Sequence, residues 1–287
     1  MSNRFRIAFS AALFFILLGR LAGTPSGFAP LSTLIGTSGK LRAVFTLPGE
    51  VPVSEIPAEP RGPGVYAMDA VGAAGAAVRW IVMTPFSAKV NGRIGLYRMG
   101  HWPFENRAPE DPAYASPRGF VQVTPGNVGL KVSEHFALGQ FLTKNQPDVW
   151  PKYVALQPRL LDKLELTIAE LNREGYRVKG LSVMSGFRTP DYNEEGVGGG
   201  GRSAVSRHQY GDAADVYPDD LGRGRMSDLN RDGRVDLKDA HVLAHAAEMV
   251  ELSHPELTGG IGIYPATSAH GPFVHIDARG KRARWGA

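Results

Sequence analysis

Apolar positions recur every three or four residues over 158–174 (PRLLDKLELTIAELNRE), where Leu160, Leu161, Leu164, Ile168 and Leu171 are separated by charges. That spacing predicts an amphipathic helix. Gly175 follows as its C-cap, and VKGLSVMSGF beyond it predicts a buried strand. A second apolar stripe, Ala240, Leu243, Ala244, Ala247 and Val250, predicts a helix over about 237–252. Ser133 is placed to cap a further helix in SEHFALGQFL. Upstream the period changes. VYAMDAV, AAVRWIVM and RIGLYRMG are short runs rich in β-branched and aromatic residues, broken by glycine and proline. FVHID, residues 273–277, also reads as a strand, so His275 and Asp277 share a face. The pattern therefore predicts strands followed by mixed helices and strands, with a small β-rich domain over 64–123 and a second unit over 124–287. Tyr97, Trp102 and Phe104 are expected in the core of the first rather than on a binding surface.

Composition changes this picture in three places. The N-terminus has Arg4 and Arg6 before an apolar run from Ile7 to Leu18, then the small residues Ala22 and Gly23. That is the charged, apolar and small-residue order of a secretory signal, too short to span a bilayer comfortably. Residues 1–23 are thus expected to direct export to the periplasm or cell envelope, with an uncleaved N-terminal membrane tether as the alternative. Residues 24–63, rich in Pro, Gly, Ser and Thr, read as a linker and the start of the β domain, with one strand-like run over 41–47. The absence of cysteine excludes disulfides, thiolate metal sites and a cysteine nucleophile, so any metal must use histidine and carboxylate ligands. The net charge of +4 is small and scattered. It permits weak attraction to polyanions, and no nucleic-acid partner is expected.

The candidate chemistry centres on SRHQYGDAAD, residues 206–215, with His208 and Asp215 seven positions apart. Alone this supports a polar cavity. His275 in FVHID supplies a third ligand type, and two histidines with one carboxylate and an open position make a catalytic zinc site. Arg188, beside the Thr189-Pro190 turn in SGFRTPDYN, presents a guanidinium suited to a carboxylate or an oxyanion. Its bland alternative is a surface pair with Asp191 or a glutamate. EEGVGGGG, 194–201, lacks the Lys-Ser/Thr of a phosphate loop and reads as a flexible border of a cleft. His241 and His245 lie one helical turn apart, but HVLAH lacks the glutamate of a protease zinc helix, and a solvated face is expected. His101, His135 and His254 show no partner pattern.

SGFRTPDYN, SRHQYGDAADV, GGIGIYP and FVHIDARGKRARW, in that order, resemble the zinc D-Ala-D-Ala carboxypeptidase and peptidoglycan endopeptidase family, which shares its fold with the hedgehog signalling domain. The resemblance spans about 128–285. It implies a hedgehog/DD-peptidase-like α+β domain around a small antiparallel sheet, zinc on His208, Asp215 and His275, and Arg188 near the substrate. Ser206 and His270 are further candidates for lining the site. Many members place a catalytic carboxylate three residues before the last ligand, where this chain has Pro272. Asp277 is the substitute candidate for general base. The alternative is that it orients a ligand from behind.

DLNRDGRVDLKD, 228–239, is a separate motif. Asp228, Asn230, Asp232, Asp236 and Asp239 occupy positions one, three, five, nine and twelve of an EF-hand calcium loop. Gly233 stands at six, and Arg234 contributes its carbonyl at seven. The twelfth residue is Asp rather than Glu, as in dockerin-type loops. The expectation is a structural calcium in an insertion between Asp215 and His275. The zinc-type residues and the family resemblance together imply a zinc-dependent peptidase acting on peptidoglycan peptides through a metal-activated water. The rival is a non-catalytic, zinc- and calcium-stabilised module that binds a wall polymer or protein.

Overall fold

The structure, a computed structural model, describes residues 41–48, 62–71 and 77–286. The expected export signal and about three quarters of the 24–63 segment lie outside these residues. The described chain is mixed α+β. Strands β1 (Leu41–Thr46), β2 (Gly64–Val71) and β3 (Ala77–Val82) form one sheet in the order β1-β3-β2, with β1 parallel to β3. A short strand β4 (Thr84–Pro85) and the small hairpin β5 (Arg93–Ile94) and β6 (Tyr97–Arg98) follow. Then come β7 (Gly119–Val123) and β8 (Lys152–Val154), which complete a second sheet with β4.

The amphipathic run becomes helix α1 (Pro158–Arg173). Pro158 sits in the first turn, where its missing N–H is not needed. The five predicted apolar residues are all buried. The Gly175 N–H donates to Asn172 O and the Tyr176 N–H to Leu171 O, with Gly175 in the left-handed region at φ 92°. These two bonds satisfy carbonyls that would otherwise be orphaned at the helix end. Strand β9 (Ser182–Ser185) and the short helix α2 (Pro190–Glu194) follow, then β10 (Ala213–Tyr217). Helix α3 (Leu237–Ser253) starts with a reciprocal cap: Asp236 accepts from the Lys238 N–H, and Asp239 accepts from the Asp236 N–H. Strands β11 (Gly260–Tyr264), β12 (Phe273–Asp277) and β13 (Ala283–Gly286) end the fold.

The site is built on the largest sheet, ordered β13-β11-β12-β10-β9 and antiparallel except for the β11–β13 pair. Helix α1 packs on α3, and α3 packs on β11 and β12. Alternation along β12 sends Val274 and Ile276 into the apolar core and His275 and Asp277 to the other face. Asp215 lies directly opposite His275 in the register, so both side chains emerge on that face. The glycines of GGIGIYP follow from this crowding. A Cβ at Gly260 would collide with the Asp277 carboxylate, and one at Gly262 with the Trp285 indole.

Three expectations need correction. Ser133 caps no helix: SEHFALGQFL forms a bridge and a single 3-10 turn, Leu138–Phe141. His135 and Glu165 hold this segment instead, the His135 N–H and ring Nδ1 meeting the two carboxylate oxygens at 2.8 and 2.6 Å. The strand within VKGLSVMSGF is not buried but half-buried, because β9 is the edge of its sheet. Residues 64–123 do not close a core of their own. Ile81, Ile94, Tyr97, Met99, Trp102 and Phe120 join the same apolar cluster as α1 and β12, which also takes in Ala43 of β1. Short strands with few inward residues cannot bury enough apolar area alone. Tyr97 and Trp102 are core residues as expected, while Phe104 is half-buried.

Candidate metal centre

His208 sits in a 3-10 turn, Arg207–Tyr210, ended by Gly211 at φ 73°, and Asp215 lies two residues into β10. The turn aims the imidazole back at the strand it precedes. His208 Nε2 is 3.2 Å from Asp215 Oδ1 and 3.1 Å from His275 Nδ1, and His275 Nδ1 is 3.0 Å from the same Asp215 oxygen. All three residues are buried. Among the described residues this is the one group of three His, Asp or Glu side chains whose ligand atoms converge this closely.

The outer bonds fix what these atoms offer. His208 Nδ1 is 2.6 Å from the Gly186 carbonyl, which can only accept, so Nδ1 carries the proton and Nε2 presents a lone pair. His275 Nε2 is 3.1 Å from Asp277 Oδ2, so its proton lies there and Nδ1 presents a lone pair. Two imidazole lone pairs and a carboxylate oxygen thus face one point, with no donor among them. A cation between them removes the conflict, so the buried trio is suited to hold a metal ion.

The electrostatics show how tightly the three groups are coupled. Burial alone would raise the Asp215 carboxyl, yet the two imidazoles hold it well below the usual carboxylate range. Burial pushes His208 down. His275, also opposed by burial, is raised because Asp215 and Asp277 flank it. Asp277 is fully buried and held ionised by His275 and Arg279 against the cost of burial.

Arg188 pairs inside the site and not with Asp191 or a glutamate. Its Nη2 donates to the outer oxygen of Asp215 and its Nε to Ser185 Oγ at 2.8 Å, so it backs a candidate ligand from the cavity wall. Asp277 lies behind His275: its oxygens accept from Arg279, from the Gly260 N–H at 2.7 Å and from His275. It does not line the cavity, which favours the orienting alternative over the general base. Ser206 and His270 do line it.

The cavity, about 690 Å³, is bordered by the Gly200–Gly201 end of the glycine loop. Aromatic residues that carried no expectation form one wall. Tyr264 stacks on Phe273 at 4.6 Å, His270 meets the edge of Phe273 at 5.0 Å, and the Trp285 Nε1–H donates to the Tyr264 hydroxyl at 2.8 Å. Tyr264, Phe273 and Trp285 all fall inside the quoted motifs, so position was the available signal. Lys144 and Arg202 also line the cavity and carried no signal at all.

The calcium-type loop has the turns of its motif without a comparable cluster. Gly233 is at φ 83°, the Gly233 N–H donates to Asp228 Oδ2, Asn230 accepts from the Asp232 N–H, and Asp232 from the Arg234 N–H. Both oxygens of Asp239 are taken by backbone N–H groups of Leu229, Asn230 and Asp236. His241 and His245 are exposed. Neither a scan of protein-family models nor a search of curated proteins yields a match to this chain.

Proposed function

We propose that the chain is an exported zinc peptidase of the hedgehog/DD-peptidase type that hydrolyses peptide bonds in peptidoglycan. The observation that carries this reading is the three-acceptor cluster at the floor of an open cavity. Tetrahedral zinc, with bonds near 2.0–2.1 Å, holds its ligand atoms roughly 3.3 Å apart. The separations of 3.0 to 3.2 Å fit that donor set, and imidazole with carboxylate suits zinc. His208 Nε2, Asp215 Oδ1 and His275 Nδ1 would hold it. The bound metal supplies Lewis acidity, which activates water and polarises a carbonyl.

The chain's own residues supply the rest. Gly186 O and Asp277 fix the two imidazole tautomers, and Lys163, fully buried, ties Asp277 O to Glu251 on α3 with two bonds of 2.6 Å. Arg188 holds Asp215 in place and turns a permanent positive charge toward the cavity, where an oxyanion would develop. Proton acceptance falls to His270. Apart from Asp215, no carboxylate lines the cavity among the described residues, and His270 is the one imidazole there outside the ligand set. Its Nδ1 is 2.8 Å from the Gly271 carbonyl, which places the proton on Nδ1 and leaves Nε2 to accept.

Metal-replete protein should release peptide fragments from purified peptidoglycan or muropeptides, read by mass spectrometry, and His208→Ala should release none. Identical product profiles from the two proteins would sink the reading, and zinc held without hydrolysis would favour the non-catalytic module.

The same reading includes a structural calcium at Asp228, Asn230, Asp232, Arg234, Asp236 and Asp239, supported by the motif and its matching turns. Calorimetry should show one calcium bound per chain, with Asp228→Ala binding none. No heat from the wild-type protein would remove calcium from the account.

A further inference from the structure

Trp285 and Tyr264 form a fixed pair on the ligand face of the large sheet. Gly262 on β11 stands between His275 on β12 and Trp285 on β13 in the register, so the three positions make one row on one face. With no side chain at Gly262, the Trp285 indole lies across it; a Cβ there would come within 2.3 Å of the indole Nε1. The indole centroid is 5.0 Å from that of the His275 ring, and its Nε1–H meets the Tyr264 hydroxyl at 2.8 Å. Tyr264, two residues along β11, faces Phe273 directly and stacks on it at 4.6 Å, with the rings 5° from parallel. His275 is then its diagonal neighbour, about 7–8 Å away between backbones and within reach of an aromatic side chain.

The pair has only one hydrogen-bonding sense. An indole N–H donates and cannot accept, so the Tyr264 oxygen is the acceptor and its own hydrogen points elsewhere. That hydrogen meets no acceptor among the described residues, while Tyr264 stands half-buried on the cavity wall. Accepting from one donor polarises a hydroxyl and strengthens the bond it gives. The stack and the indole hold the phenol in place, so its donor is set before any ligand arrives. Arg188 stands across the ligand strands on the β9 side, already bound to Asp215 and Ser185. Tyr264 is thus an uncommitted neutral donor on the other flank of the point where His208, Asp215 and His275 converge.

We propose that the Tyr264 hydroxyl is a catalytic hydrogen-bond donor to the carbonyl oxygen of the bond being cleaved, and that Trp285 is its positioning residue. This rests on the peptidase reading. Attack of water forms a C–O bond and moves the carbonyl π pair onto oxygen, while a water proton passes to His270. The pair then returns, the C–N bond breaks, and the proton on His270 leaves with the amine. The Tyr264 proton stays on its own oxygen throughout. The bond it gives tightens as charge builds on the carbonyl oxygen and relaxes as that charge is lost. An interaction stronger at that stage than in the bound substrate lowers the barrier and leaves KM nearly untouched.

The test measures muropeptide hydrolysis by zinc-loaded variants, with products read by mass spectrometry, beside the inhibition constant of a phosphinate peptide built on the bond found to be cut. Tyr264→Phe keeps the stack on Phe273 and removes the donor. It should lower kcat by roughly 10²- to 10³-fold, with KM, zinc content and Tm near wild type. Affinity for the tetrahedral phosphinate should fall by the same factor as kcat/KM. Trp285→Phe, which loses one supporting hydrogen bond, should cost roughly three- to tenfold, and nothing further when added to Tyr264→Phe. A purely structural indole would cost the same in both backgrounds. Tyr176→Phe, outside the cavity, is the control and keeps wild-type rates. A kcat within about threefold of wild type in Tyr264→Phe, a loss confined to KM, or additive losses in the double variant overturns the role. No hydrolysis by the wild type removes the peptidase and this role together, whereas hydrolysis undiminished in Tyr264→Phe removes the role alone.

Discussion

Asp215→Asn is expected to abolish zinc binding and with it all hydrolysis, while the chain still folds. The carboxylate is 5% exposed and serves two partners, its inner oxygen facing both imidazole lone pairs and its outer oxygen accepting from Arg188. An amide of the same shape can keep its carbonyl on Arg188 and turn its NH₂ group toward the histidines. That geometry satisfies the metal-free cluster and closes it to a cation. Bound zinc stabilises the native state by mass action, about 4 kcal/mol at a free concentration a thousand times the dissociation constant. For a chain of this size that is a Tm difference on the order of 10 °C between zinc-loaded and chelated wild type. The variant should show no such difference, no zinc by elemental analysis and at least a thousandfold loss of activity. Arg188 is left without a counter-charge on the cavity wall, so the chelated variant should also melt below chelated wild type. A zinc-dependent Tm shift retained in Asp215→Asn would remove Asp215 from the ligand set.

How much of this was legible depended on whether the signal was local. Helices α1 and α3 were readable because their apolar stripes repeat within the segment, and Gly175 marks an end that the Schellman bonds confirm. His275 and Asp277 on one face followed from strand alternation alone. That Asp277 would lie behind His275 rather than over the cavity did not, because its direction is set by Arg279 and by the Gly260 N–H, on another strand. The β-rich stretch looked autonomous for the same reason: short strands reveal their own faces and not the partner they bury against. Lys144 and Arg202 come from a loop and a glycine-rich turn with no periodicity, and the tertiary fold alone brings them to the cavity.

Substitution of His270 by Gln should cut kcat by roughly 10²- to 10⁴-fold, the range a general base contributes, with zinc content unchanged and KM little moved. The imidazole is held by three features: the bond from Nδ1 to the Gly271 carbonyl, the turn closed by the Thr267 N–H on His270 O, and the edge contact with Phe273. Gln fills a similar volume but accepts a proton far less readily, so the loss should fall on the chemical step. Added imidazole should restore part of the rate to His270→Ala, whose side-chain space is vacated. Pro272, standing where a carboxylate occurs in many members of the resembled family, is buried and cannot take the role. Asp277→Asn provides the contrast. It keeps the hydrogen-bonding shape behind His275 but weakens the pull on its Nε2–H, so it should reduce zinc affinity by roughly 10- to 100-fold and recover activity when zinc is raised. If instead His270→Gln keeps the wild-type kcat while Asp277→Asn loses the rate at saturating zinc, the proton goes to Asp277 and the side chain must swing out from behind its histidine to receive it.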